Sequence, residues 1–268
     1  MEKVRLDVLM HERGLVENLE SAKAVVMSGS VFVGGVRAVK PGMPVQPKVD
    51  VEVRGKLEYV SRGGLKLAKA LMHFGISPEG KTCIDCGAST GGFTDCLLKN
   101  GARLVYSIDV GYGQLAWRLR NDSRVCVMER TNIRYVTPEM FEAKPELAVM
   151  DVSFISLALV LPVVRELLTE DSEALCLIKP QFEAARENVE KRGVVRDPKT
   201  HKNVLDAFMR DAVQSGFHVK GLTYSPVRGP NGNIEYFGWL RCNGEGDAID
   251  TDAIVSESHM FLTATKER

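Results

Sequence analysis

Five short apolar runs alternate with helix-length segments through the middle of the chain. They are typical of buried strands and comprise TCIDCGA (82–88), RLVYSIDV (103–110), RVCVMER (124–130), LAVMDVSF (147–154) and ALCLIKP (174–180). This alternation predicts a parallel sheet that is covered by helices on both faces. Two further runs, 217–227 and 234–242, are separated by a short polar loop and predict an antiparallel hairpin at the edge of the sheet.

The first 60 residues predict a separate, small α+β unit. Two helical segments come first, one ending near Gly14 and one that is capped by Asn18 and ends near Gly29. Short strands follow around the glycine pair at 34–35 and over 49–53. With the motifs RLD, GL and KPG in this order, the segment resembles the S4-type RNA-binding fold. A small helical dimerisation module is the alternative.

The chain as a whole therefore predicts an α/β protein in four parts. The small α+β unit occupies 1–60, a linker 61–65, the large sheet unit 66–243 and an acidic tail 244–268. Because the tail is acidic while the chain balances 35 basic against 35 acidic residues, the rest is mildly basic. That charge permits a structured RNA partner.

Hydropathy argues against membrane and secreted classes. No run approaches the ~18 consecutive apolar residues that a membrane helix needs. The charged N-terminal segment lacks the apolar region of a signal peptide. We therefore expect a cytoplasmic protein with no membrane partner.

The stretch CIDCGASTGGFTD, from Cys83 to Asp95, permits three interpretations. It could form a zinc or redox site, a phosphate cradle or a pocket for another cofactor. The remaining cysteines and the five histidines are scattered, without a second pair at zinc-ligand spacing, so we expect core thiols and no metal. The turn matches neither the P-loop pattern nor G-x-G-x-x-G, which leaves the third interpretation.

A doubly wound sheet that ends in an antiparallel hairpin is the Rossmann-like architecture of S-adenosylmethionine-dependent methyltransferases. Ligands of such sheets bind at the carboxyl ends of the strands. Glycines in the turn let a bulky ligand approach the backbone, and Asp109 ends the next strand, where a carboxylate can bind ribose hydroxyls. The alternative for Asp109 is a helix cap before GYGQLAW.

We expect the third strand to end at the adenine pocket. The complete set of candidate cofactor-binding residues is Asp85, Gly87, Ser89, Thr90, Gly91, Gly92, Phe93, Asp109, Val110, Gln114, Glu129, Thr131 and Asn132.

Four charged residues are the candidate catalytic group. Asp151 and Lys179 end the fourth and fifth predicted strands, Glu235 opens the last strand, and Lys66 begins the first helix of the large unit. Each alone has an ordinary explanation as a surface charge or a helix cap, but four residues converging on one cleft seldom arise from packing.

The four residues suit activation of a weak nucleophile. A hydroxyl group is a poor nucleophile that needs a base within hydrogen-bond reach, and a lysine can act as one when burial and a second ammonium disfavour its charge. We expect Lys179 to be the base or hydroxyl orienter, Lys66 to supply the repulsion, and Asp151 and Glu235 to orient the lysines.

Lys66, Asp151, Lys179 and Glu235 in this order, together with GASTGGFTD, resemble the FtsJ/RrmJ-type ribose 2′-O-methyltransferases. With SRGGLKL, MDVSFISL and IKPQFE, residues 3–242 resemble the TlyA family of bacterial ribosomal-RNA methyltransferases, some of which are labelled haemolysins. The resemblance implies S-adenosylmethionine as cofactor, ribosomal RNA or ribosomal subunits as partners, and methylation of a cytidine ribose.

Two other functions stay open from sequence alone. One is a haemolysin that acts on membranes, for which the apolar run SFISLALVLPVV is too short to span and contains Pro162. The other is a noncatalytic RNA-binding protein with the same fold, which would not need all four charged residues. The sequence does not indicate an oligomeric state.

Overall fold

The computed structural model describes residues 3–16, 18–27, 29–54 and 58–264. It divides into two compact units, residues 1–64 and 65–268.

Two short helices and short antiparallel strands form the first unit. Its elements are β1 (Val4–Arg5), α1 (Leu6–Glu12), α2 (Leu19–Met27), β2 (Val31–Val33), β3 (Val36–Arg37), β4 (Pro44–Val45) and β5 (Val51–Val53). β1 pairs with β4, and β2 lies between β3 and β5. Asn18 Oδ1 accepts the Ser21 N–H at 2.8 Å, which confirms the predicted helix cap.

The second unit is built on a seven-stranded sheet. Its elements are α3 (Gly63–Phe74), β6 (Thr82–Cys86), α4 (Gly92–Lys99), β7 (Leu104–Ile108), α5 (Trp117–Arg120), β8 (Val125–Met128), β9 (Leu147–Met150), α6 (Leu161–Leu167), β10 (Glu173–Ile178), α7 (Pro180–Glu183), α8 (Pro198–Gln214), β11 (His218–Tyr224), β12 (Tyr236–Arg241) and α9 (Thr251–Ala264). The predicted linker 61–65 thus contains the start of α3, and the predicted tail contains α9.

The strand order β11-β12-β10-β9-β6-β7-β8 places the site. β10, β9, β6, β7 and β8 are parallel, whereas β12 pairs antiparallel with both β10 and β11. The predicted hairpin is therefore confirmed, with β11 at the edge and β12 inserted beside β10. The order reverses on either side of β6, so a crevice opens at the carboxyl ends of β6, β7 and β9.

The central strands of the sheet are covered on both faces. Every residue of β6 and β9 is buried, as parallel strands require. Cys83 and Cys86 belong to this core, and burial raises the pKa of the Cys83 thiol to about 12. The Cys-x-x-Cys pair is thus part of a buried strand. The expectation of core thiols is wrong for Cys126 on β8, which is exposed.

Candidate active site at the carboxyl edge of the sheet

The four charged residues singled out from sequence meet as two ion pairs. Lys66 Nζ, on α3, lies 2.5 Å from Glu235 Oε2, which immediately precedes β12. Lys179 Nζ, after β10, lies 2.5 Å from Asp151 Oδ1, after β9. Lys66, Lys179 and Glu235 are buried, so each charge depends on its partner for the solvation it has lost.

A glutamine links the two pairs. Gln181 Nε2 on α7 donates to Glu235 Oε1 at 3.3 Å, two residues after Lys179. A Cβ at Gly229 would lie 2.0 Å from the same oxygen, so a side chain at this position would displace the Glu235 carboxylate from its present place.

Oxygen atoms surround the Lys179 ammonium group. It forms an ion pair with Asp151 Oδ1 and donates to Val152 O at 2.9 Å, to Ser153 Oγ at 2.8 Å and to Asp151 O at 3.5 Å. All of these oxygens are acceptors suited to the protons of a lysine ammonium. Ser153 is the one neutral hydroxyl among these partners.

The turn after β6 requires its glycines. Gly87 and Gly91 have φ angles of 87° and 94°, which disfavour any residue with a Cβ. A Cβ at Gly87 would also lie 2.7 Å from the backbone oxygen of Asp151. The turn and the residue that pairs with Lys179 are therefore packed against each other.

Asp109 binds two backbone segments at the edge of this turn. Its Oδ2 accepts the Ser89 N–H at 2.8 Å and its Oδ1 accepts the Gly111 N–H at 2.6 Å. Each carboxylate oxygen retains a lone pair for a further donor. The half-buried carboxylate can thus hold the loop, as a cap does, and still bind hydroxyl groups.

The other candidate cofactor residues divide into exposed and structural positions. Val110 and Gln114 are exposed next to Asp109, whereas Phe93 is buried and stacks on Phe237. The Glu129 carboxylate accepts the Gly113 N–H at 2.9 Å and pairs with Arg120.

The short segment after β8 is held by its own side chains. Thr131 Oγ1 donates to Glu129 O at 3.0 Å, and Asn132 Oδ1 accepts the Arg134 N–H at 3.1 Å. Glu129, Thr131 and Asn132 therefore fix the loops at this edge, and their contact with the cofactor stays a prediction.

Asp85 lies in β6 directly before the turn and is completely buried. Thr94 Oγ1 donates to its Oδ2 at 2.7 Å, while its Oδ1 has no hydrogen-bond partner among the described residues. Burial, assisted by the charges of Asp151 and Asp109 and opposed by Thr94, raises the pKa of Asp85 to about 7.

Sequence reasoning missed an exposed aromatic residue beside Lys179. Phe154 is 90% exposed and has a φ of 63°, and its ring lies 4.9 Å from that of Phe182 on α7. Lys179 Nζ is 5.8 Å from the Phe182 ring centroid. The run VMDVSF gave no signal of exposure, since Phe154 continues the apolar pattern of β9.

Glu183 fixes the segment that carries Phe154, and it was also missed. Its carboxylate accepts from Ser156 Oγ at 2.7 Å and from the Leu157 N–H at 2.9 Å. Burial raises the pKa of Glu183. α7 therefore begins directly after the catalytic candidate Lys179, and its Glu183 fixes the loop that carries Phe154.

Two features are absent from the part of the chain that the structure describes. No group of three or more histidine, cysteine, aspartate or glutamate side chains is arranged to hold a metal ion. No helix in the same residues is long and apolar enough to cross a bilayer.

Comparison with protein families assigns both units. The model of the FtsJ-like methyltransferase family matches residues 59–242. The chain belongs to this family. The S4 domain model matches residues 4–51, which confirms the RNA-binding fold expected for the first unit.

Similar proteins agree with this family. A Bacillus subtilis (strain 168) protein provisionally named as an rRNA methyltransferase, YqxC, is 53% identical over 98% of this chain and 97% of its own. The 16S/23S rRNA (cytidine-2′-O)-methyltransferase TlyA of Mycobacterium tuberculosis is 45% identical over 89% and 90%. The TlyA resemblance is thereby confirmed.

A solved structure has the same fold over the whole chain. It comes from Streptococcus thermophilus, is provisionally described as a hemolysin, and superposes with a TM-score of 0.81 at 45% identity, covering 100% of both chains. The hemolysin label thus recurs on a protein with this architecture.

The cofactor of this FtsJ-like fold is S-adenosylmethionine, as the sequence predicted. The carboxyl edge fits it. Asp109 offers free lone pairs for ribose hydroxyls, and exposed Val110 offers an apolar surface beside them. Asp85 Oδ1, which has no hydrogen-bond partner among the described residues, is an acceptor beneath the turn that suits the ammonium group of the cofactor.

Asp109→Ala tests the ribose assignment. The variant should bind S-adenosylmethionine more weakly by about 1.5–3 kcal/mol, since charge-assisted hydrogen bonds are lost. Calorimetry measures this, with Asp122→Ala as control because Asp122 pairs with Arg124 on the surface. Equal affinity of the two variants would contradict the assignment.

The raised pKa of Asp85 predicts a pH-dependent stability. A carboxyl group that binds its proton more tightly when folded favours folding at low pH, and this contribution is lost as the pH rises from 3.8 through about 7. Asp85→Asn mimics the protonated form at every pH. Its free energy of unfolding relative to that of the wild type should therefore rise by roughly 4 kcal/mol over this pH interval. Urea unfolding at several pH values measures the difference, and parallel pH profiles would contradict it.

Proposed function

We propose that this protein transfers a methyl group from S-adenosylmethionine to the 2′-hydroxyl of a cytidine in ribosomal RNA. The observation that carries the proposal is the double ion pair at the carboxyl edge, Lys66–Glu235 and Lys179–Asp151. Membership of the FtsJ-like family, an S4 domain and the named activity of the TlyA relative support the substrate.

Lys179 is the proposed base or hydroxyl orienter. Its ammonium group contacts one neutral hydroxyl, Ser153 Oγ, and a ribose hydroxyl has the same hydrogen-bonding capacity. The substrate hydroxyl can therefore replace Ser153 while Asp151 keeps Lys179 in place. This puts the nucleophilic oxygen within hydrogen-bond reach of the lysine.

Lys66 and Glu235 form the second half of the site. Glu235 receives Lys66 on one oxygen and Gln181 on the other. The pair thereby connects α3 to α7, which follows Lys179. We infer that this ion pair positions α7, and that Lys66 provides positive potential beside the reacting oxygen.

S-adenosylmethionine supplies a methyl group already activated by a sulfonium, so the protein's remaining task is alignment. Correct positioning of two reactants can account for about 7–11 kcal/mol of barrier lowering. Gly87 allows the cofactor turn to pack against Asp151. This contact fixes the distance between the cofactor turn and the Lys179–Asp151 pair.

An exposed aromatic side chain beside the site suits an RNA substrate. Unpaired nucleobases stack on aromatic rings, with a contribution of about 1–3 kcal/mol per base. Phe154, supported from behind by Phe182, is the residue we assign to this contact.

Lys179 variants test the chemistry. Lys179→Ala should lower single-turnover methylation by about 10²–10⁴-fold, the usual contribution of a general base, while cofactor binding is retained. Arginine cannot give up its proton, so Lys179→Arg should be equally slow if Lys179 is a base and partly active if it only orients the hydroxyl.

Lys199→Ala is the matched control, because Lys199 is exposed at the start of α8. It should methylate at the wild-type rate. Near-normal turnover in both Lys179 variants would remove this residue from the mechanism.

A further inference from the structure

The C-terminal helix α9 lies outside the stretch that the FtsJ-like family model matches, which ends at residue 242. Composition marked this region only as an acidic tail. Nevertheless Thr251, Val255 and Ser258 are buried, and Thr251 Oγ1 donates to Asp206 Oδ1 on α8 at 2.8 Å. The helix is therefore docked against the methyltransferase unit.

A pair of tyrosines joins α9 to the β11–β12 hairpin. Tyr224 and Tyr236 are directly opposed in the hairpin register, so their side chains emerge on the same face. Tyr236 OH lies 3.0 Å from Ser258 Oγ, and Tyr224 OH donates to Glu257 Oε1 at 3.5 Å. Two consecutive residues of α9 thus bind the two tyrosines.

Tyr236 OH lies between a histidine on α8 and Ser258 on α9. His201 Nε2 faces Val195 O at 3.0 Å and must donate to it, which leaves Nδ1 of the neutral ring to accept from Tyr236 OH at 2.9 Å. The tyrosine oxygen is then a buried acceptor 3.0 Å from Ser258 Oγ, whose single proton can go to Tyr236 or to Val255 O at 2.8 Å. Burial lowers the pKa of His201, which keeps the ring neutral.

The tyrosine pair adjoins both residues of the Lys66–Glu235 pair. Tyr236 directly follows Glu235, and the Ser225 N–H donates to Glu235 O at 2.8 Å just beyond the tyrosines. On the other strand, Tyr224 O accepts from Lys69 Nζ at 2.9 Å, and this ammonium lies 3.8 Å from the Tyr224 ring centroid. Lys69 is one turn after Lys66 on α3.

We propose that α9 positions the Lys66–Glu235 ion pair by holding Tyr224 and Tyr236 through Glu257 and Ser258. The proposal rests on the proposed methyl transfer. Ser258 and Glu257 are positioning residues, since they act through the tyrosines and not on the substrate. The acidic segment that follows the family domain is therefore part of the machinery for turnover.

The test uses three consecutive positions of the full-length protein. Ser258→Ala removes the hydroxyl that contacts Tyr236, Glu257→Ala removes the acceptor for Tyr224 at an exposed position, and exposed Ser256→Ala is the control. Single-turnover methylation of ribosomal RNA is measured at saturating cofactor and RNA, together with the Kd for S-adenosylmethionine, the KM for RNA and the thermal midpoint.

We expect the Ser258→Ala and Glu257→Ala enzymes to be slower by about 10-fold or more, as misplacement of catalytic groups produces. Their cofactor Kd and RNA KM should stay at the wild-type values, and Ser256→Ala should be unchanged throughout. Because Glu257 is exposed, its variant decides the matter alone if Ser258→Ala does not fold.

Wild-type turnover in Glu257→Ala and in folded Ser258→Ala would overturn the proposal. A parallel loss of turnover, cofactor affinity and thermal midpoint would also overturn it, since that pattern indicates general stabilisation. If the wild-type enzyme itself does not methylate ribosomal RNA, the proposed function fails and the positioning role falls with it.

Discussion

Two lysine–carboxylate pairs, in which both lysines and Glu235 are buried, hold together the elements at the carboxyl edge of the sheet. Burying a charge costs several kcal/mol unless a partner replaces the lost water. The buried ammonium groups of Lys66 and Lys179 therefore require the carboxylates of Glu235 and Asp151. These residues come from α3, β9, β10 and the entrance to β12. The doubly wound order, with β12 inserted beside β10, brings them to one edge.

The methyltransferase fold and the identity of the four charged residues could be predicted from sequence for a physical reason. Parallel strands buried on both faces must be continuous apolar runs, so charged residues stand out where strands end. Asp151 and Lys179 end such runs and Glu235 opens one. The carboxyl ends of parallel strands meet at one edge of the sheet. The sequence therefore indicates that these charged residues lie near one another, but not which lysine pairs with which carboxylate.

The pairing and its supports could not be predicted, because they depend on tertiary distances. Nothing in IKPQFE shows that Gln181 reaches Glu235 or that Glu183 binds the loop at Ser156. Phe154 continues an apolar pattern yet points to solvent. The acidic composition of 244–268 did not indicate that α9 has buried residues, because a helix can pack through one narrow face while its other faces are polar.

The most direct test of the central claim is a map of ribose methylation on ribosomal RNA from cells with and without this protein. The account predicts a 2′-O-methylcytidine that is present with the wild-type protein, disappears when it is deleted, and does not return when Lys179→Ala is supplied instead. Identical maps with and without the protein, or a difference confined to a methyl group on a base, would contradict it.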